Sequence, residues 1–155
     1  MIKNYIGNIE ILKVTKTAFL CSRKYPADTV LKSFDWGIKQ RNNGICVISG
    51  FHSSIEKEVL YFLLKGTQPV LLVLARGLLS KIEPKLQKAI DEGRLLIISS
   101  FSRDVKRITS ETSELRNRFM IELADSIVIA HSTAGGGLEK LLNREAILKP
   151  INYLS

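Results

Sequence analysis

The chain has 155 residues, a formal net charge of +8 from 23 basic against 15 acidic side chains, and 45% hydrophobic residues. That is the length of one domain able to bury a core of its own, and no apolar run approaches the ~18 residues of a membrane span. Met1–Tyr5 has neither an apolar signal-peptide run nor a small-residue cleavage site, so a cytoplasmic protein is expected. The positive balance fits a polyanionic partner as well as it fits a solubilising surface.

Residues 1–16 read as an N-terminal extension of a single domain spanning 1–155. A strand is expected over Thr17–Cys21, then a helix over Ala27–Arg41 that Asn43-Gly44 terminates. Ile45–Ile48 reads as a strand and Ser54–Leu64 as a helix, with Ser54 as N-cap and Gly66 past its end. Val70–Leu74 and Leu95–Ile98 read as strands around a helix over Ile82–Glu92, where Pro84 is tolerated in the first turn. The polar stretch Ser99–Ser113, with Arg103, Lys106 and Arg107, reads as a long loop of the kind that often binds. Helices over Thr112–Ala124 and Leu138–Leu148 flank a strand at Ser126–Ala130, and Ile151–Leu154 offers a sixth strand. The strands are runs of Val, Ile and Leu with few polar residues, as in parallel strands covered on both faces. The alternation implies an α/β fold: a Rossmann-like three-layer open sheet, mostly parallel, with helices on both faces.

Cys21 and Cys46 lie within apolar strands and read as small buried thiols on neighbouring strands. There is no CxxC, and His52 and His131 are far apart in sequence, so neither a metal site nor a cofactor is expected.

In such a sheet, ligands bind beyond the carboxyl ends of the strands. Two strands stop there at small polar residues. After the first comes Ser22-Arg23-Lys24, a turn where an Arg fork could hold phosphate oxygens or merely face water before Pro26. After the second comes Ser49-Gly50-Phe51-His52-Ser53-Ser54. Its glycine permits a tight turn, and Phe51 and His52 would either stack on a base or, for Phe51, join the core. Arg116, Asn117 and Arg118 lie on an amphipathic helix, where the two arginines stand about 200° apart. One is therefore expected to face ligand and the other to pair with a carboxylate, such as Glu114 or Glu122. Gly135-Gly136-Gly137 precedes the last helix. It is either a nest of N–H groups for an anion or a tight turn, and it fits neither GxGxxG nor a P-loop. No Asp is placed to orient His52 towards Ser49, and GxSxG is absent.

Together these blocks resemble the DNA-processing protein A family (DprA, or Smf) of DNA recombination mediators. Its pattern of G-S-R, S-G-x-A-x-G-I-D, R-N-R and a small S-G-S-L loop is matched, in order, by Cys21-Ser22-Arg23, Ser49 through Glu56, Arg116-Asn117-Arg118 and Gly135 through Leu138. The chain departs at Cys21, His52 and Ser54, where the family has Gly, Ala and Gly, and at Glu56, where it has Asp. The resemblance covers about Thr17 to Ser155. It implies a non-enzymatic core that binds single-stranded DNA, with Arg23, Lys24 and Arg116 or Arg118 neutralising phosphates. Backbone N–H groups of Ser22, Ser49–Ser53 and Gly135–Gly137 would seat them. It further implies a recombinase partner and homodimerisation. More distantly the chain is similar to LOG-type phosphoribohydrolases, once labelled lysine decarboxylases. There Arg116 and Glu139 match a catalytic Arg/Glu pair, but His131-Ser132-Thr133 stands where that family has P-G-G. The alternative partner is thus a nucleotide, with Glu139 either catalytic or simply favouring its helix dipole.

Overall fold

A computed structural model describes residues 1–145 and 148–155. Seven strands form one sheet: β1 (Asn4–Gly7), β2 (Lys16–Leu20), β3 (Cys46–Ser49), β4 (Val70–Leu74), β5 (Leu95–Ser99), β6 (Ser126–Ile129) and β7 (Ile151–Tyr153). Their order is β1-β5-β4-β3-β2-β6-β7, and every neighbouring pair is parallel except β1 against β5. The helices are α1 (Asp28–Asn43), α2 (Ser54–Leu64), α3 (Pro84–Asp91), α4 (Ser110–Leu123) and α5 (Gly137–Arg144), with a 3-10 turn at Ile9–Lys13. Of the last expected helix, Ala146 and Ile147 lie outside the described residues.

The side chains of each strand alternate between two cores, as the two-residue strand period requires. Ala18, Leu20, Ile48, Leu71, Val73, Ile127 and Ile129 pack with Met120 and Ile121 of α4 and Leu141 and Leu142 of α5. Phe19, Val47, Leu72, Ile97 and Val128 face the other way, against Val59 and Leu63 of α2 and Leu86 of α3. Trp36 of α1 stacks on Phe19 at 4.9 Å between ring centroids. The expected three layers are present, with helices on both faces.

The N-terminal segment joins the same sheet. Its β1 adds an antiparallel edge, Tyr5 opposite Ile98 and Ile6 opposite Ile97. The Asn8 side chain ties it to the Gly93 carbonyl at 2.9 Å. The cysteines stay apart: the register sets Cys46 opposite Lys16, five residues before Cys21.

Several basic side chains hold the scaffold. Lys16, only 4% exposed, donates to the carbonyls of Leu12 and Val14 at 2.8 and 2.7 Å. Arg94 donates to Leu63 and Leu64 at the end of α2, and Lys149 to Ile121 and Glu122 at the end of α4. Cations at helix C-termini satisfy orphan carbonyls and oppose the dipole. The excess positive charge is therefore only partly available to a ligand.

Candidate functional site

After β2 the chain moves outward through β3, β4 and β5, then returns to lay β6 on the other side of β2. The loops after β2 and β6 thus part in opposite directions, and a crevice opens beyond their carboxyl ends. It is an open cleft of about 1080 Å³. Arg23, Lys24, Arg116, Lys140 and Arg144 line it as five cationic side chains, against Glu56 and Glu114. Leu20, Ile108, Leu138 and Leu141 supply aliphatic surface, while Thr109, Ser110 and Ser113 bring hydroxyls from the start of α4.

Backbone bonding fixes the walls. The Ser22 N–H donates to the His131 carbonyl at 2.9 Å, and Ser22 Oγ accepts the Thr133 N–H at 2.9 Å. Thr133 Oγ1 donates to the Lys24 carbonyl at 2.9 Å. Ser22 therefore stitches the β2 and β6 loops together, leaving Arg23 and Lys24 exposed at the rim. The guanidinium of Arg23 reaches Ser110 Oγ at 3.4 Å. On the opposite side Thr109 and Thr112 form a reciprocal cap that starts α4.

The loop after β3 is filled from within. Ser49 is fully buried, and its Oγ accepts the Phe51 N–H at 3.2 Å. The N–H groups of His52 and Ser53 both donate to Glu56 Oε1, at 3.1 and 3.0 Å. With Ser53 as N-cap, this is a capping box that opens α2. Glu56 itself is only 7% exposed.

Arg116 lies on the cleft floor at 6% exposure. Its Nε donates to Asn117 Oδ1 at 2.8 Å and its Nη1 to the Val73 carbonyl at 3.4 Å. Burial pulls its pKa below the ordinary arginine value, and the nearby Glu56 carboxylate pulls it back up. Arg118 points away from the cleft and pairs with Glu145 at 2.9 Å. Arg116 thus lines the cleft and Arg118 pairs with a carboxylate, which is neither Glu114 nor Glu122. Glu114 instead pairs with Arg144.

The structure brings Ser22, Arg23, Lys24, His52, Ser53, Arg116, Asn117, Gly136 and Gly137 to one cleft, and corrects the rest. Phe51 is a core residue, 4% exposed with φ +46°, so it offers no face for stacking. Ser49 and Gly50 are buried behind the cleft. The N–H groups of Ser22, Phe51, His52 and Ser53 are spent on the protein's own oxygens and so do not seat phosphates. In the glycine run, the Gly135 N–H donates to Glu139 Oε1 at 3.2 Å and the Gly136 N–H to the Thr133 carbonyl at 2.9 Å. Glu139 caps that turn and does not line the cleft, so it does not meet Arg116 there. Arg103, Lys106 and Arg107 also stand outside the lining, although their loop delivers Ile108 and Thr109. Sequence reasoning missed Lys140 and Arg144. Their i, i+4 spacing on a helix that starts at the glycines was the available signal.

The thiols are chemically quiet. Burial, reinforced by Glu56, pushes Cys21 up to about 11, and burial pushes Cys46 up to about 12. At neutral pH neither supplies a thiolate nucleophile. Among the described residues no cluster of three His, Cys, Asp or Glu is placed to hold a metal ion, and no helix is long and apolar enough to cross a membrane.

The profile of the family described as DNA recombination-mediator protein A matches residues 3–141. The chain belongs to that family. The resemblance carried by the four sequence blocks is thereby confirmed, and the match extends into the β1 segment. Among solved structures, DNA processing protein A from Helicobacter pylori superposes with a TM-score of 0.73 at 18% identity, over 96% of this chain and 69% of that one. DNA processing protein A from Streptococcus pneumoniae gives 0.73 at 20% identity, over 96% of this chain and 53% of that one. The chain thus spans only about half of the S. pneumoniae relative. A molybdenum cofactor binding protein from Rippkaea orientalis shares the fold more loosely, with a TM-score of 0.57 at 10% identity over 90% of this chain and 75% of that one. No curated protein matches the sequence.

Proposed function

We propose that this member of the recombination-mediator family binds single-stranded DNA in the cleft between the β2 and β6 loops. The observation that carries the reading is the charge arrangement: five cationic side chains around one open crevice at the sheet's topological switch. Arg23, Lys24 and Lys140 provide exposed charge at the rim, and Arg116 a buried guanidinium on the floor. The H. pylori relative is described by its single-stranded DNA binding mode, which supports the same ligand here. Phosphate contact comes mainly from side chains and from the hydroxyls at the start of α4, because the N–H groups of Ser22, His52, Ser53, Gly135 and Gly136 are occupied. No catalytic step is assigned, since Glu139 is turned to the glycine turn and the thiols are protonated.

The test is fluorescence anisotropy of a labelled oligo-dT over a range of salt concentrations. Each cation–phosphate contact contributes about −0.7 to the slope of log K against log [salt] for a single strand. Several contacts therefore predict a steep fall between low and moderate salt. Affinity that stays flat over that range removes the proposal.

A further inference from the structure

The carboxylate that caps α2 also stands on the cleft floor. Glu56 lines the cleft beside Arg116 and is more than nine-tenths buried. Its Oε1 receives two backbone N–H groups. Its Oε2 carries no hydrogen bond among the described residues and is not one of the fully buried unpartnered atoms, and the residue that bears it lines the cleft. No ion pair within 4 Å ties it to Arg116 among the described residues, although the two charges feel each other. The floor thus presents a fixed donor, the guanidinium, next to a fixed acceptor, the carboxylate. A phosphate oxygen set against Glu56 meets repulsion that low dielectric strengthens. A ligand N–H set there makes a charge-assisted hydrogen bond.

We infer that Glu56 is a specificity-determining residue: its free oxygen accepts a hydrogen bond from the edge of a nucleobase whose strand phosphates lie on the rim cations. The inference rests on the strand-binding reading above. Internal deoxyribose has no hydroxyl, so in a DNA strand the base supplies the donor, as the N3–H of thymine does. Among the described residues the lining contains no Phe, Tyr or Trp, so the base is read at its edge over aliphatic side chains, without an aromatic platform.

The experiment compares three labelled oligomers of equal length at fixed salt: oligo-dT, an abasic oligomer, and oligo-dT methylated at N3. A hydrogen bond to a charged group is worth about tenfold or more in affinity. The natural protein should therefore bind oligo-dT about tenfold more tightly than either of the others. Glu56→Gln keeps an oxygen for the His52 and Ser53 N–H groups but turns a donor to the cleft, so it should bind all three alike. Equal binding of oligo-dT and its N3-methyl form by the natural protein overturns the inference, as does a preference that survives in Glu56→Gln. The N3-methyl comparison needs no variant, so equal binding overturns the inference even if Glu56→Gln does not fold. If none of the oligomers binds in a salt-sensitive way, the strand-binding reading itself fails; if all bind alike to the natural protein, only the role of Glu56 does.

Discussion

Gly50 leaves the space that the Arg116 guanidinium occupies: a Cβ at residue 50 would collide with Nη1 and Cζ of that side chain. The glycine thus makes room for a charge, where the sequence suggests a turn residue meeting a ligand. Its effect on binding is indirect, through the position of the floor cation.

Gly50→Ala should therefore behave like a binding variant although residue 50 does not line the cleft. Overpacking costs about 1–3 kcal/mol, and the guanidinium must leave its bonds to Asn117 and the Val73 carbonyl. The expected outcome is a lower melting temperature together with an oligo-dT affinity as weak as that of Arg116→Ala. Gly50→Ala with natural affinity would show that the floor tolerates a displaced Arg116.

Arg23→Ala and Lys24→Ala separate binding from stability. Both side chains are exposed, and among the described residues Arg23 makes one long hydrogen bond, to Ser110. Thermal melting should not change. Oligonucleotide affinity should fall, and the salt slope should shrink by about 0.7 for each phosphate contact removed. A slope unchanged in both variants would place the phosphates elsewhere.

Arg144 is held by Glu114, and both line the cleft. A strand phosphate must compete with that carboxylate. Glu114→Gln frees the guanidinium and removes a repulsive charge, so oligo-dT affinity should rise several-fold at low salt. The pair is exposed on both sides, and such pairs contribute about 0–1 kcal/mol, so melting should move little. Weaker binding by Glu114→Gln would mean that the ion pair orders α4 against α5 for the ligand.

The layers, the strand alternation and the cleft's main charges were legible because they depend on local pattern: apolar runs, caps and small residues at strand ends. β1 was not, because Asn4–Gly7 is short, ends in glycine and finds its register only against a strand some ninety residues later. Phe51 shows the limit most clearly. An aromatic residue in a polar loop suits a stacking platform as well as a core plug, and only the tertiary fold turns it inward. The N–H groups of the His52 turn and the Gly135 turn posed the same ambiguity. A glutamate four residues after each turn supplies the anion that a ligand would otherwise bring. That spacing is visible in the sequence, but whether it satisfies the turn or borders a ligand is a matter of side-chain direction.

The two raised thiols should contribute to a loss of stability at alkaline pH. In the folded protein Cys21 titrates at about 11 and Cys46 at about 12, against 9.0 for an unperturbed thiol. A raised pKa in the folded state means that folding favours the protonated form. The contribution is intact below pH 9 and is lost as pH rises through about 11 for Cys21 and 12 for Cys46. Melting temperature should accordingly hold from pH 7 to 9 and decline above it, and Cys46→Val should reduce the decline. A thiol reagent at pH 8 should label neither cysteine rapidly in the native protein and both after denaturation. Rapid native labelling of Cys21, the more exposed of the two, would show that the cleft stabilises its thiolate, and would reopen a nucleophilic role for that residue.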